Sequence, residues 1–294
     1  MPERAPWSRW ACVVLGCLWV GLTQAQTVGS DDQGQSLSFA VPPQRIVSLL
    51  PAITEMVCEL GACDRLVGVD RHSNHPARVR DLPRLGGMED TPLEALVKLK
   101  PDLVLAAGSA RLLNRMRGLG LRVMVFEPRD EADTARMGQA LARVLGVGDD
   151  TWAAYQVRQQ DAWRDLARRV SAGMMDRRIY IEVGEGPYVA AQTSFIGQAL
   201  QRVRLQAAVP GTWGVFPRLS PEWVLREQPD WIVLSSTASP PARRPGWERL
   251  QAVVDRRVCV LNPAQMDTLV RPGPRLNEGI AAILACMNTQ PIQP

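Results

Sequence analysis

An internal duplication is the feature that most constrains this chain of 294 residues. Three short segments return later in the same order: 45–50 as 178–183, 91–105 as 220–234, and 122–128 as 257–263. The separations are 129 to 135 residues, too long for the stacked repeats of a solenoid. The pattern therefore predicts two equivalent halves that arose by a diverged duplication.

Each half carries the signals of a helix followed by a buried strand. Thr91 and Ser220 are expected to cap helices, and each precedes a proline at the first helical position, where a missing N–H is tolerated. Pro101 and Pro229 end these helices. The apolar runs that follow have no polar face, as expected for parallel strands covered by helices on both sides. Each half is therefore predicted to be a small α/β lobe.

One long helix is predicted between the halves, over residues 149–173. Acidic Asp149 suits its N-terminus and Gly173 suits its end. The predicted fold class is α/β, with two parallel-sheet lobes over residues 44–148 and 174–294. The helix joins them, and a ligand cleft lies between them.

The first 25 residues have the pattern of a secretory signal peptide, with a basic start, an apolar run and a small-residue cleavage site. A lipoprotein-like box ends at Cys17, but cleavage there would leave apolar residues exposed, so cleavage near Ala25 is favoured over a lipid anchor. No later segment reaches 18 apolar residues, which predicts no membrane span. We expect a periplasmic protein with a loose leader over residues 26–43.

Charge and motifs argue against several functions. The formal net charge is only +4 and the basic residues are dispersed, so nucleic acid is not an expected partner. Two histidines and no G-x-S-x-G motif weaken the alternative of an exported two-lobe α/β enzyme. His72 and His75 have metal-ligand spacing, but their neighbours predict a loop without a third ligand, so no metal site is expected.

Four cysteines remain after removal of the signal peptide: Cys58, Cys63, Cys259 and Cys286. An even number in an oxidising compartment permits two disulfides, with three possible connectivities. Cys58 and Cys63 flank Gly61, a predicted helix end that would let the chain fold back and join them. Four buried thiols are the alternative.

Several short motifs, in order, resemble the periplasmic cobalamin-binding protein family: residues 48–55, 60–68, 73–76, 99–105, 194–197 and 216–222. They also resemble the wider group that binds haem and iron siderophores. The resemblance implies a binding protein, not an enzyme, that captures cobalamin or a related corrinoid for an ABC importer. Cobalamin would be the cargo, with no cofactor, and the protein would be a monomer that docks on the permease transmembrane subunits.

The resemblance, together with loop positions at strand ends, predicts these ligand-binding residues: Pro51, His72, Gly87, Tyr188, Trp213, Phe216, Asp267 and Arg271. The aromatic residues among them have core packing as an alternative. For Asp267 and Arg271 the alternative is a local i, i+4 ion pair. Glu94 and Glu222 match two acids that contact permease arginines, although an acid in the first turn of a helix is also favoured by the helix dipole.

Two departures from the family pattern matter. Gly86 and Gly87 stand where the family has a tryptophan, which thins the aromatic lining. Near Arg204 the chain lacks a cysteine that pairs with the C-terminal helix in some members. This second departure leaves Cys286 to pair with Cys259 or to remain free.

Overall fold

The computed structural model describes residues 27–87, 89–183 and 188–289. The predicted signal peptide, including Cys17, lies outside the described residues. The strands of the first lobe are β1 Thr27–Ser30, β2 Ser36–Phe39, β3 Ile46–Ser48, β4 Leu66–Val69, β5 Leu103–Ala107 and β6 Val123–Phe126. Its helices are α1 Pro51–Glu59, α2 Leu93–Lys98, α3 Leu113–Gly118 and α4 Glu131–Val144.

A single helix, α5 Asp149–Arg168, leads into the second lobe. The strands there are β7 Arg178–Ile181, β8 Gln206–Ala207, β9 Trp231–Ser235 and β10 Val258–Leu261. The helices are α6 Phe195–Arg202, α7 Pro221–Glu227, α8 Gln251–Val254, α9 Pro263–Leu269 and α10 Leu276–Thr289. None of the helices in the described ranges is both long and apolar enough to cross a membrane.

The two lobes contain the same sheet. In the first lobe the strand order is β4-β3-β5-β6, and in the second it is β8-β7-β9-β10, with every neighbouring pair parallel. The duplicated segments supply equivalent strands, since β3 matches β7, β5 matches β9 and β6 matches β10. Buried apolar clusters cover both faces of each sheet. The α/β fold class with two parallel-sheet lobes is therefore confirmed.

The duplication extends to individual hydrogen bonds. Asp102 accepts from the backbone N–H of Arg45 at 3.0 Å, and Asp230 accepts from that of Arg178 at 2.8 Å. The Arg45 guanidinium donates to the Leu99 carbonyl at the end of α2, and Arg178 makes the same kind of bond at the end of α7. The repeated arginine and aspartate thus tie the equivalent strands β3 and β7 to the neighbouring helix and strand of each lobe.

Helix α5 belongs to both lobes. Tyr155, near its N-terminus, packs in the core of the first lobe, whereas Trp163 and Leu166 pack in the core of the second. Its 20 residues span about 30 Å. The helix ends at Arg168, before the predicted end at Gly173, which lies instead in the 3-10 turn Ala172–Met174.

Residues 27–43 do not form the loose leader that their polar composition predicts. Strands β1 and β2 make an antiparallel hairpin, and Phe39 is 4% exposed in the core of the first lobe. The Asp31 carboxylate accepts from the backbone N–H of Val125, and Asp32 accepts from that of Glu127. These bonds attach the hairpin to β6, an edge strand whose polar backbone groups would otherwise be open to other chains.

The predicted caps of α2 and α7 differ from the expectation. Helix α2 starts at Leu93, and the Thr91 hydroxyl donates to the Gly87 carbonyl, four residues earlier. Ser220 does occupy the N-cap position of α7, but its side chain makes no capping bond to the helix backbone. Pro221 is the first residue of α7, where its fixed φ suits the helix, as predicted. Pro92 is instead the N-cap residue of α2 and has an extended backbone, so the predicted first helical position is wrong for this proline.

The cysteines form two disulfides, Cys58–Cys63 and Cys259–Cys286. The first closes the turn after α1, as the flanking positions around Gly61 suggested. The second ties β10 to α10. The alternative of four buried thiols is therefore wrong, and Cys286 has the partner that the missing family cysteine left open.

Candidate functional site

The carboxyl ends of the parallel strands carry the first-lobe residues predicted to bind a ligand, which is where open α/β sheets bind ligands. Pro51 is the first residue of α1 and is partly buried. His72 follows β4 and is exposed. Gly87 lies in the turn where its backbone N–H donates to Asp90 at 2.7 Å.

The second-lobe aromatics differ in exposure. Tyr188 is 47% exposed and Trp213 is 49% exposed, and no other aromatic side chain of the described residues is as open. Trp213 lies 5.8 Å from the Trp223 ring, measured between centroids. Phe216 is partly buried and packs edge-on against Phe195 at 5.5 Å. Tyr188 and Trp213 therefore present ring surface to solvent, whereas Phe216 is shared with the core.

Asp267 and Arg271 form the i, i+4 ion pair at 2.9 Å, although Arg271 lies beyond the end of α9. Arg271 is only 7% exposed and reaches across to the first lobe. Its guanidinium contacts Glu55 at 2.6 Å and the Asn74 side-chain oxygen at 2.9 Å. It also donates to the His72 carbonyl at 3.0 Å. The structure thus brings the predicted residues His72, Asp267 and Arg271 together, in a contact between the lobes.

Glu55, the first-lobe centre of this contact, is not among the residues predicted from the sequence. Its side chain is 2% exposed, and its Oε1 lies 2.6 Å from Arg271 and 3.6 Å from Arg275. Burial raises the pKa of Glu55, although Arg271 and Arg275 oppose the rise. The available signal was a lone carboxylate inside the otherwise apolar stretch of α1, since residues 52–57 are all buried.

A second buried cluster lies at the end of β7. Glu182 forms two hydrogen bonds with the Arg244 guanidinium, one of 2.8 Å, and accepts another from the Tyr180 hydroxyl at 3.0 Å. Arg244 also lies over the Trp247 ring, 4.4 Å from its centroid. The cluster fixes the 241–247 segment beside the strand end. In the sequence, the sign of this cluster is Glu182, a glutamate at the end of an apolar strand.

Glu94 and Glu222 occupy equivalent and accessible positions. Each is exposed in the first turn of its helix, α2 or α7. Hydrogen bonds from its own backbone N–H and from the Ser220 hydroxyl lower the pKa of Glu222, which keeps that carboxylate charged. The two lobes therefore present matching acids on their surfaces.

A cavity of about 190 Å³ lies beneath α5, between that helix and helices α1, α4 and α6. Its walls include Trp152, Tyr155, Trp163 and Phe195. None of the predicted ligand-binding residues lines it. Elsewhere, no cluster of three or more histidine, cysteine, aspartate or glutamate residues suited to a metal ion occurs in the described ranges.

Curated proteins similar to this chain include proteins named as binding proteins. A vitamin B12-binding protein of Vibrio cholerae is 28% identical over 262 residues, covering 84% of this chain and 90% of that protein. An uncharacterized ABC transporter substrate-binding lipoprotein of Bacillus subtilis, YvrC, is 26% identical over 266 residues, with coverage of 85% and 82%.

Solved structures share the whole architecture. The periplasmic vitamin B12-binding protein of Vibrio cholerae superposes with a TM-score of 0.67 at 25% identity, covering 85% of this chain and 98% of that one. The periplasmic haem-binding protein BhuT, solved with two haems, gives a TM-score of 0.70 at 25% identity, with coverage of 84% and 98%. Residues 46–264 match the family described as periplasmic binding protein, and the chain belongs to that family.

Proposed function

We propose that this protein is the substrate-binding protein of an ABC importer. In this proposal it captures cobalamin or a related corrinoid between its lobes and delivers it to a membrane permease. The relative named for vitamin B12 binding, matched over most of both chains, supports this choice. Its family of binding proteins also agrees with a non-catalytic role.

The observation that carries the proposal is the exposure of two aromatic rings, Tyr188 and Trp213, in connecting segments of the second lobe. Ligand sites are lined mainly by aromatic and apolar side chains, so these two rings are the candidate contact surface for the ligand in this proposal. The apolar face of a macrocycle matches them, because aromatic rings contribute large contact area at low entropic cost. His72 adds a polar, planar side chain from the first lobe.

Haem is the second candidate, and His72 favours it. The His72 side chain is exposed, and imidazole is an ordinary axial ligand of haem iron. The haem-binding structural neighbour superposes over 84% of this chain with a TM-score of 0.70. In a haem complex the His72 imidazole would be an axial ligand of the iron. This ligation would shift the Soret band, so the two candidates can be distinguished by spectroscopy.

The discriminating experiment is titration of the purified mature protein with cobalamin and, separately, with haemin. We expect saturable heat with cobalamin at one site per monomer and no shift of the haemin Soret band. Saturable haemin binding with a shifted Soret band, and no heat with cobalamin, would replace cobalamin by haem. Loss of the band shift in His72→Ala would then assign the axial ligand.

The proposal includes export and docking. The apolar N-terminal segment would direct the chain to the periplasm, with cleavage near Ala25 favoured over lipidation at Cys17. Glu94 and Glu222 would contact arginines on the two permease subunits, one acid from each lobe. Two separated charges of this kind would steer the encounter and fix its orientation. The protein would be a monomer before it docks.

A further inference from the structure

The contact between the lobes contains a buried polar cluster that is larger than a single ion pair. Glu55 and Asn74 come from the first lobe, and Asp267, Arg271 and Arg275 come from the second. The Asn74 side-chain NH₂ donates to Asp267 at 2.8 Å. This amide therefore bridges Asp267 and Arg271, since its oxygen accepts from Arg271.

The Arg271 guanidinium has little capacity left for a ligand. It meets four acceptors at 2.6 to 3.0 Å: Glu55, Asn74, Asp267 and the His72 carbonyl. A guanidinium has five N–H donors in one plane. Three hydrogen bonds, to Glu55, Asn74 and the His72 carbonyl, and an ion pair with Asp267 occupy most of its surroundings. With 7% exposure, Arg271 would have to leave a buried partner before it could bind cargo. This arrangement does not match the ligand contact that the family resemblance implies for Arg271.

The loop that Arg271 holds is the one that carries His72. Its base is fixed from the first lobe, because the Asp70 carboxylate accepts from the His72 backbone N–H at 2.8 Å and from the Ser73 hydroxyl. The Ser73 hydroxyl is linked in turn to Thr54 at 2.9 Å. The His72 carbonyl, in contrast, is held by Arg271 of the second lobe. The backbone of His72 is thus clamped by one residue from each lobe.

We propose that Glu55 and Arg271 are positioning residues for the binding cleft. They join the lobes and hold the 72–74 loop, so that the His72 side chain forms a fixed wall of the cleft, and they do not contact the cargo. This proposal deepens the proposed function and rests on it for the role of His72 in binding. The structural part, a loop held by the opposite lobe, is independent of which ligand binds.

The test uses the double variant Glu55→Leu with Arg271→Met. Removing one partner would strand a buried charge, whereas replacing a buried pair by apolar residues of similar size is often neutral for stability. The double variant should therefore fold while losing the bonds to the His72 carbonyl and to Asn74. Arg257→Met is the control, because Arg257 is also largely covered, at 14% side-chain exposure, but contacts the Asp230 carbonyl and the Asp255 carboxylate within its own lobe.

Two measurements need no ligand. The protein has only two histidines, so proton NMR of the imidazoles reports His72 directly, with His75→Gln to assign the signals. Pulsed EPR between spin labels at the exposed positions Val97 and Val254, one on each lobe, reports the distance between the lobes. We expect a shifted or broadened His72 signal and a broader distance distribution in the double variant, and neither change in Arg257→Met.

Titration with cobalamin then tests the consequence for binding. We expect at least a tenfold weaker affinity in the double variant, with wild-type affinity in Arg257→Met. Unchanged affinity, or an unchanged His72 signal, would overturn the positioning role. If wild-type protein binds no cobalamin, the proposed cargo fails, while the NMR and EPR results still decide whether the opposite lobe holds the loop.

Two milder substitutions cover the case in which the double variant does not fold. Asn74→Ala removes the bridging amide and leaves all charges in place. Arg271→Lys keeps the charge but loses the planar fork that reaches several acceptors. Both should give intermediate losses of affinity with a measurable change of the His72 signal. Wild-type affinity and an unaltered His72 signal in both variants would contradict the proposal.

Discussion

At the scale of single residues, burial separates side chains that the sequence treats alike. Tyr188 and Phe216 are both aromatic, and both are expected near the cleft. Tyr188 is 47% exposed, whereas Phe216 lies edge-on against Phe195 in the apolar cluster of the second lobe. Truncation of Tyr188 should therefore affect ligand binding alone, whereas truncation of Phe216 should affect both binding and stability.

Tyr188→Ala should weaken cobalamin binding by about 2 kcal/mol, the cost of losing a well-packed aromatic anchor, and leave the free energy of unfolding nearly unchanged. Phe216→Ala should also destabilise the protein, by about 2 kcal/mol or more, because it removes partly buried ring contacts. Calorimetric titration and urea unfolding of both variants measure the two effects. Leu119→Ala, at a side chain that is 56% exposed on the first lobe, is the control. A large stability loss in Tyr188→Ala would make Tyr188 a core residue.

At the scale of helices and strands, bonds between segments distant in the chain determine structure that local composition does not predict. The polar segment 27–43 has the composition of a leader, yet its hairpin is held by Asp31 and Asp32 on the backbone of β6. The C-terminal helix α10 is similarly tied to β10 by the Cys259–Cys286 disulfide. These attachments link residues far apart in the chain, so local patterns do not reveal them.

The two disulfides should differ in their contribution to stability. Cys259 and Cys286 are 27 residues apart, whereas Cys58 and Cys63 are 5 apart. A cross-link that closes a longer loop restricts the unfolded chain more, by about 3.5 kcal/mol for the first pair and about 2 kcal/mol for the second in the chain-entropy model. Urea unfolding of the two paired Cys→Ala variants tests this order. A larger loss from the Cys58–Cys63 pair would contradict it.

At the scale of the whole molecule, the duplication places an exposed acid at the equivalent position of each lobe, Glu94 in the first turn of α2 and Glu222 in the first turn of α7. The double variant Glu94→Ala with Glu222→Ala should abolish cobalamin uptake in cells with the cognate permease and leave affinity for cobalamin within about twofold. Exposed ion pairs contribute only about 0.2 to 1 kcal/mol to folding, so neither acid is needed for stability. Uptake of labelled cobalamin and titration of the purified variant measure the two properties.

Glu59→Ala with Glu248→Ala provides the matched control for docking. Each of these acids is also exposed, one on each lobe, but neither lies in the first turn of α2 or α7. This control should transport normally. Equal loss of uptake in both double variants would point to net charge instead of docking at Glu94 and Glu222, and lost ligand affinity in Glu94→Ala with Glu222→Ala would move these residues into the cleft.

Much of the architecture could be predicted from the sequence alone. The duplicated segments, the apolar strand runs and the long polar helix between them predict two parallel-sheet lobes, because these features follow from hydrophobic periodicity and from helix and strand signals. The repeated Pro-Asp of residues 101–102 and 229–230 even marks a shared structural role, since Asp102 and Asp230 bind equivalent strand ends. The same Pro-Asp sequence thus makes the same bond in both lobes.

Only the tertiary structure decided which polar groups meet across the lobes. Glu55 and Arg271 are 216 residues apart, and no local pattern pairs them. A charged side chain can be buried at the interface only where the other lobe supplies an opposite charge and enough hydrogen-bond partners. Whether it does so depends on how the two lobes pack. The sequence by itself therefore determined the two lobes and the loops at their strand ends. Packing decided that Arg271 holds the opposite lobe and that Tyr188 and Trp213 remain exposed.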